Sequence, residues 1–246
     1  MEDFKIEGRN AVIELLKSDK TVNKIMIQRG ERQGSINEII KLAKQKRIVV
    51  TEVDKTKLDQ MSETKHHQGV IAFVAPIKYK DIDDIFALAE EKGEAPFILI
   101  ADEIEDPHNL GALIRSAECA GCHGVIIPKR RAVAVTEVVV KTSVGAVEYV
   151  PVVRVNNINE TIRELKDRGV WIVGTDGSAK TLYYDQDLTG SIAVIIGSEG
   201  RGMSKLTMEN CDFLVKIPMM GKITSLNASV SGGIVLFEAL KQRLKK

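Results

Sequence analysis

Apolar and polar positions alternate in two different regimes along this chain. Up to about residue 75 the period switches between helical and extended. "RNAVIELLK" and "INEIIKLAKQK" repeat apolar residues three and four apart, the second through Ile36, Ile39, Ile40 and Ala43, whereas "NKIMIQ", "IVVTEV" and "GVIAFV" read as strands. This pattern predicts a compact α/β module over 1–75. "APIKYKDIDDIFALAEEKGEAP", acidic and bounded by Pro76 and Pro96, reads as a linker over 76–92. From Phe97 the apolar runs "FILIA", "GVIIP", "YVPVV", "VWIVGT" and "IAVIIG" are nearly continuous, the mark of parallel strands covered on both faces, so a second α/β domain is expected over 93–246. Open parallel sheets bind ligands in the loops outside the carboxyl ends of their strands, which directs attention to those loops.

Composition narrows the class. The chain has 246 residues, 44% hydrophobic and 28% charged, with no apolar run approaching the ~18 residues of a membrane span. The start "MEDFKIEGRNAV" shows neither an apolar export core nor an arginine-rich transit pattern, so a cytoplasmic address is expected. The net charge of +1 is uninformative, but residues 1–75 hold 14 Lys and Arg against 11 Asp and Glu, which biases basic surface toward the first module. Arg9, Lys41, Lys44, Lys46 and Arg47, with Lys129, Arg130 and Arg131 of "PKRR", are candidate phosphate contacts or a merely solvated face. Cys119, Cys122 and His123 spell C-x-x-C-H, yet haem attachment needs an exported chain. The cysteines read instead as small hydrophobes closing a helix before Gly121 and Gly124, and no metal site is expected, His66 and His67 included.

Three strand-end segments stand out: "DEIEDPHNLGALIRSAECAG", "IIGSEGRGMS" and "IPMMGKITSLNASVSGG". None is a P-loop, a dinucleotide fingerprint, a nucleophile elbow or a zinc-binding pair, which argues against a nucleotide triphosphatase, a serine hydrolase and a nicotinamide-dependent enzyme. In the first, Asn109 reads as a helix N-cap, and Leu110, Leu113, Ile114 and Ala117 as the buried stripe. Arg115 lies off that stripe, with Gly111 one turn before it where a bulky partner could approach. In the third, Ser225 reads as the cap of the last helix and Leu226, Val230, Ile234 and Phe237 as its buried stripe. Gly232 and Gly233 cost about 1 kcal/mol each in a helix interior, so either a close backbone approach, as by a helix of another subunit, compensates them or the helix is weakened.

Together these three segments resemble the motifs of the SpoU, or TrmH-type, RNA 2'-O-ribose methyltransferases, in order and spacing, over residues 97–243. The first module, with "GRNAV" and "HHQGVIA", resembles the ribosomal protein L30e-like substrate-binding domain of RlmB-type enzymes. Ala228 stands where the family more often has valine, and Cys119 and Cys122 replace small or apolar residues.

The resemblance implies a SPOUT domain, a parallel sheet whose C-terminal segment is threaded into a trefoil knot, working as a homodimer with the last helix in the interface. It implies S-adenosylmethionine as methyl donor, held largely by backbone groups of Thr175, Gly177, Gly197, Glu199, Gly200, Ile217, Met219, Ser225 and Leu226. It implies catalytic roles for Asn109, Arg115, Glu199, Ser225 and Asn227. Arg115 pins a substrate phosphate and steadies the developing alkoxide, because a guanidinium is a poor base, and Glu199 orients Asn109 or Arg115 or ties two loops together. The expected substrate is RNA, foremost a 23S rRNA guanosine in the RlmB manner. The rivals are tRNA, resistance-type rRNA adenosine, or an inactive RNA-binding ribosome-assembly factor.

Overall fold

A computed structural model describes residues 4–31, 34–62 and 64–245. The chain divides into two compact units, Met1–Lys78 with Ala134–Glu137, and Tyr79–Val133 with Val138–Lys246.

The first unit runs β1 (Lys5–Glu7), α1 (Arg9–Lys17), β2 (Val22–Gln28), α2 (Ser35–Gln45), β3 (Val49–Val53), α3 (Lys55–Met61) and β4 (Val70–Val74). Its sheet has the order β1-β4-β2-β3, parallel between β2 and β3 and antiparallel elsewhere. Because β4 is apolar at every position, it can be covered on both faces. Ala72 packs with Leu16 and Ile39 on one side, while Ile71 and Phe73 pack with Leu58 on the other. His67 closes this unit as a structural residue: its Nε2 lies 2.8 Å from Asp59 Oδ1 and its Nδ1 accepts from Gly69 N.

The second unit continues with α4 (Ile82–Lys92), β5 (Phe97–Ala101), α5 (Pro107–Cys119), β6 (Gly124–Pro128), α6 (Glu137–Thr142, whose first residue counts with the first unit), a 3-10 turn (Ala146–Glu148), β7 (Val152–Val155) and α7 (Ile158–Asp167). There follow β8 (Trp171–Thr175), β9 (Thr181–Leu182), β10 (Ile192–Ile196), α8 (Lys205–Asn210), β11 (Phe213–Lys216) and α9 (Ala228–Arg243). The seven strands are paired in parallel in the order β7-β6-β5-β10-β8-β11-β9, and β5, β6 and β10 are buried throughout, as uninterrupted apolar runs require. The chain steps outward from β5 through β6 to β7, then crosses to the far side of β5 for β8 and later inserts β10 between them. Loops diverge where the order reverses, beside β5 and β10, and open a crevice at the strands' carboxyl ends.

The expected linker 76–92 is not one. It contains α4, closed by left-handed Gly93, with Ile85 and Ala89 buried in the second unit's core, and Ile85 lies so close to Gly124 that a Cβ there would overlap it. Acidity misled because only the solvent face of α4 is charged. Gly121, at φ +79°, stops α5 as foreseen, and Cys122 is buried with its thiol pKa pushed up by burial. His123 is fully buried. Its Nδ1 accepts from Phe97 N, and Nε2 lies 3.2 Å from Glu94 Oε2 without hydrogen-bond geometry. Among the described residues no helix is long and apolar enough to cross a membrane.

Candidate functional site

Helix α5 begins at the carboxyl end of β5. Asp106 caps it, accepting from His108 N at 3.1 Å, and Pro107 occupies the first helical position, where no N–H is missed. The cap is therefore three residues earlier than Asn109, which lies inside the first turn and is only 6% exposed. Leu110, Leu113, Ile114 and Ala117 form the buried stripe as the spacing predicts. A Cβ at Gly111 would come 2.6 Å from Thr142 Cβ, so the approach foreseen there is made by α6 of this same chain. Arg115 is exposed and makes no hydrogen bond or ion pair among the described residues, with Glu199 or any other group.

After β10 the chain turns back on itself: Ser198 N donates to Gly202 O at 3.2 Å and Gly202 N to Ser198 O at 2.9 Å. Gly200 and Gly202 take φ of +81° and +66°, and a Cβ at Gly197 would stand 2.5 Å from the backbone of Gly202 and Met203. Glycine is thus required sterically, and the turn places Glu199 outward. The third segment ends in Asn227, which caps α9 by accepting from Ser229 N, Val230 N and the Ser229 hydroxyl. Ser225, the expected cap, is exposed two residues earlier and lines the cleft instead.

These three strand ends meet in one network. Glu199 Oε1 accepts from Asn109 Nδ2 at 2.6 Å, from Asn227 Nδ2 at 2.7 Å and from Ala228 N at 3.5 Å, and Asn227 Nδ2 also donates to Asn109 Oδ1 at 2.9 Å. Both amides are held in one orientation, since every alternative would set donor against donor.

Beside the network opens a cleft of about 350 Å³. Thr175, Gly177, Gly197, Glu199, Gly200, Ile217, Met219, Ser225 and Leu226 all line it, at the carboxyl ends of β8, β10 and β11 and along the loop entering α9. Its size lies within the range of small-molecule sites. The Thr175 hydroxyl donates to Ile195 O and is thereby committed within the fold. Asp176 was overlooked in the sequence. It lines the cleft and accepts from Ser178 N and Oγ, and an acid immediately after a strand and before Gly177 was the available signal. Beneath the site, Asp102 is buried at the end of β5 and accepts from Thr207 Oγ1. Burial raises its pKa, the adjacent Glu103 raises it further, and the threonine bond opposes both.

The last helix overturns its expected stripe. Ala228, Gly232, Val235, Leu236 and Ala239 are buried, whereas Leu226, Val230 and Phe237 are exposed. A Cβ at Gly232 would overlap Leu113, so the close approach that compensates this glycine is α5 of the same chain; one at Gly233 would meet only Ser116 Oγ at 3.8 Å. In the first unit Lys41, Lys44 and Arg47 are exposed, but Arg9 is tied to Glu31 at 3.0 Å and to Gln68 O, and Lys46 donates to Ser18 O.

Residues 96–237 match the SpoU rRNA Methylase family, and residues 5–80 match the family described as RNA 2'-O ribose methyltransferase substrate binding. Bacillus subtilis YacO, assigned to the TrmH family of tRNA/rRNA methyltransferases, is 50% identical over 236 residues, 96% of this chain and 94% of that protein. A relative from Staphylococcus saprophyticus is 47% identical over 243 residues, covering 99% and 97% of the two chains. Among solved structures, the SpoU methyltransferase AviRb from Streptomyces viridochromogenes in complex with AdoMet aligns with a TM-score of 0.63 at 26% identity, over 99% of this chain and 92% of that one.

Proposed function

The chain belongs to the SpoU rRNA methylase family, and on that premise we propose that it transfers the methyl group of S-adenosylmethionine to a ribose 2'-oxygen of RNA, a 23S rRNA guanosine in the RlmB manner. The observation that carries this reading is the convergence of Asn109, Glu199 and Asn227 on one side of a cleft lined by every residue assigned to the donor.

Bound in that cleft, S-adenosylmethionine supplies an electrophilic methyl carbon on a sulfonium. The strand-end backbone grips the donor, and the carboxylate of Glu199 is compatible with its positive charge. Glu199 holds the amides of Asn109 and Asn227 fixed, so that with Ser225 they set the ribose at a near-attack contact of ~3 to 3.5 Å. Arg115, exposed and without a hydrogen bond or ion pair among the described residues, anchors the substrate phosphate and steadies the alkoxide as the hydroxyl proton leaves to phosphate or water.

The first unit serves RNA capture as an L30e-like domain, with Lys41, Lys44 and Arg47 available to phosphates. The C-terminal segment is a trefoil knot, a reading supported by the return of the chain after β11 to pack α9 on α5 and β10. The protein works as a cytoplasmic homodimer, supported by the apolar face that α9 and its preceding loop expose through Ile223, Val230 and Phe237. The test is incubation of purified protein with labelled S-adenosylmethionine and total RNA from a strain lacking the gene, followed by mapping of methylated riboses. Arg115→Ala is expected to keep donor affinity and abolish transfer; equal transfer by that variant removes Arg115 from the mechanism.

A further inference from the structure

Asp102 is a buried acid to which the proposed mechanism gives no part. It follows β5 directly, and among the described residues it forms no ion pair. An acid buried without a cation beside it is disfavoured, and an apolar side chain would fill the same space with less penalty. What this carboxyl holds in place is therefore the question.

The turn that carries Glu199 leaves β10 at Ile196 and enters α8 at Ser204, and Asp102 is tied to both ends. Its N–H donates to Ile196 O at 2.9 Å. Its Oδ2 accepts from Thr207 Oγ1 at 3.3 Å, Thr207 Oγ1 lies 2.9 Å from Ser204 Oγ, and Ser204 Oγ accepts from Thr207 N at 3.1 Å. A carboxylate or amide oxygen at this position only accepts, so the Thr207 hydroxyl donates to it and the Ser204 hydroxyl donates to Thr207. Between the two ties the chain has glycine at 197, 200 and 202, which leaves it few side chains with which to hold itself. Its ends must be fixed from outside. Asp102 is also the root of the loop that leads to Asp106, the cap of α5, and on to Asn109. The next residue, Glu103, is left-handed at φ +55°, a conformation few residues other than glycine adopt, so the path of this loop is tightly determined.

Taking the ribose methyltransferase reading as given, we infer that Asp102 is a positioning residue for methyl transfer: it clamps both ends of the Glu199 turn to the root of the Asn109 loop. The bond it keeps in place is that from Asn109 Nδ2 to Glu199 Oε1, 2.6 Å long. Asp102 does not line the cleft, and it acts through Glu199. A misplacement of about 1 Å at a reacting centre can cost 100-fold in rate, so a clamp remote from the reactants affects turnover more than binding.

The test uses the full-length protein, labelled S-adenosylmethionine and total RNA from a strain lacking the gene, with single-turnover rates taken per folded molecule. Asp102→Ala and Thr207→Val each break the side-chain tie and are expected to slow transfer by about 10- to 100-fold with an unchanged KM for RNA. Asp102→Asn, which keeps an acceptor for Thr207, is expected to restore most of the rate lost in Asp102→Ala. In a Glu199→Ala background Asp102→Ala is expected to slow transfer no further, because the group it positions is gone, whereas a merely structural role gives losses that multiply. Should Asp102→Ala not fold, Thr207→Val carries the same comparison. Tie-breaking variants as fast as the parent, losses that multiply with that of Glu199→Ala, or an Asp102→Asn protein as slow as Asp102→Ala overturn the clamp and leave the transferase reading standing. A parent protein that binds the donor and labels no RNA overturns both.

Discussion

Helix α9 begins in the candidate site and ends at the opposite edge of the parallel sheet, and its two end turns use polar groups differently. At the carboxyl edge Asn227 bonds to side chains from two other strand ends, Asn109 and Glu199. At the amino edge Arg243 donates to the backbone carbonyls of Ala95, Pro96 and Gly190 and lies over the Phe97 ring, while Gln242 bonds Gln186 O and Leu188 N. Backbone carbonyls are fixed once the strands are, so the amino-edge bonds add stability without depending on any other side chain's orientation. The carboxyl-edge bonds fix two amides at the mouth of the cleft, the groups proposed above to position a substrate. One end of the helix is an anchor and the other a tool.

The sharpest way to break this contrast is at the site. Glu199→Ala removes the acceptor shared by Asn109 Nδ2 and Asn227 Nδ2, loosening Asn109 while the helix cap still holds Asn227, and is expected to lower single-turnover methyl transfer by about 100- to 1,000-fold, while urea unfolding shifts by less than about 1 kcal/mol, the usual range for exposed polar positions. A stability loss that accounted for the lost activity would make Glu199 part of the anchor. Arg243→Ala should do the reverse, lowering stability by about 2 to 3 kcal/mol through hydrogen bonds from a charged donor, with transfer per folded molecule nearly unchanged.

The middle of α9 offers a finer comparison. Alanine in place of glycine gains about 1 kcal/mol of helix propensity. At Gly232 overpacking against Leu113 costs about 1 to 3 kcal/mol, so Gly232→Ala is expected to lower the melting temperature, and Gly233→Ala, which meets nothing closer than an ordinary contact, to raise it. Equal shifts would show that α5 and α9 are not in close contact.

The smallest effect concerns the carboxyl end's own cost in stability. Because the pKa of Asp102 is raised in the fold above its ordinary 3.8, the native state holds this proton to higher pH than the unfolded chain does. Stability therefore falls as pH rises from 3.8 through the folded value. Asp102→Asn, which keeps an acceptor for Thr207, should be more stable than the parent at pH 7, and the difference should vanish in urea titrations below pH 3.8. A constant difference across pH would assign the effect to packing.

Much of the frame was legible along the chain. The unbroken apolar strands of the second unit announce burial on both faces, and the α5 stripe was read correctly because its other positions are polar or small. The helix-start signature at Asp106-Pro107 is present too, but asparagine also caps well, and only the accepted bond from His108 N distinguishes Asp106 from Asn109 as the cap. Helix α9 misled for a different reason. It is apolar around most of its circumference, so spacing defines two stripes, and the one with larger side chains is the more conspicuous. Packing at close range on Leu113 selects the small-residue face instead and turns Val230 and Phe237 outward.

By itself the sequence determined what neighbours along the chain can decide: which runs are buried, where glycines permit the turn around Glu199, and which loops follow which strands. Only the tertiary structure decided that Asn109 meets Glu199 from 90 residues away and Asn227 from 118, and that Arg115 does not join them. An amide's orientation depends on what stands opposite it in space, and strand order in a parallel sheet, set by long crossovers, fixes which loops become opposite.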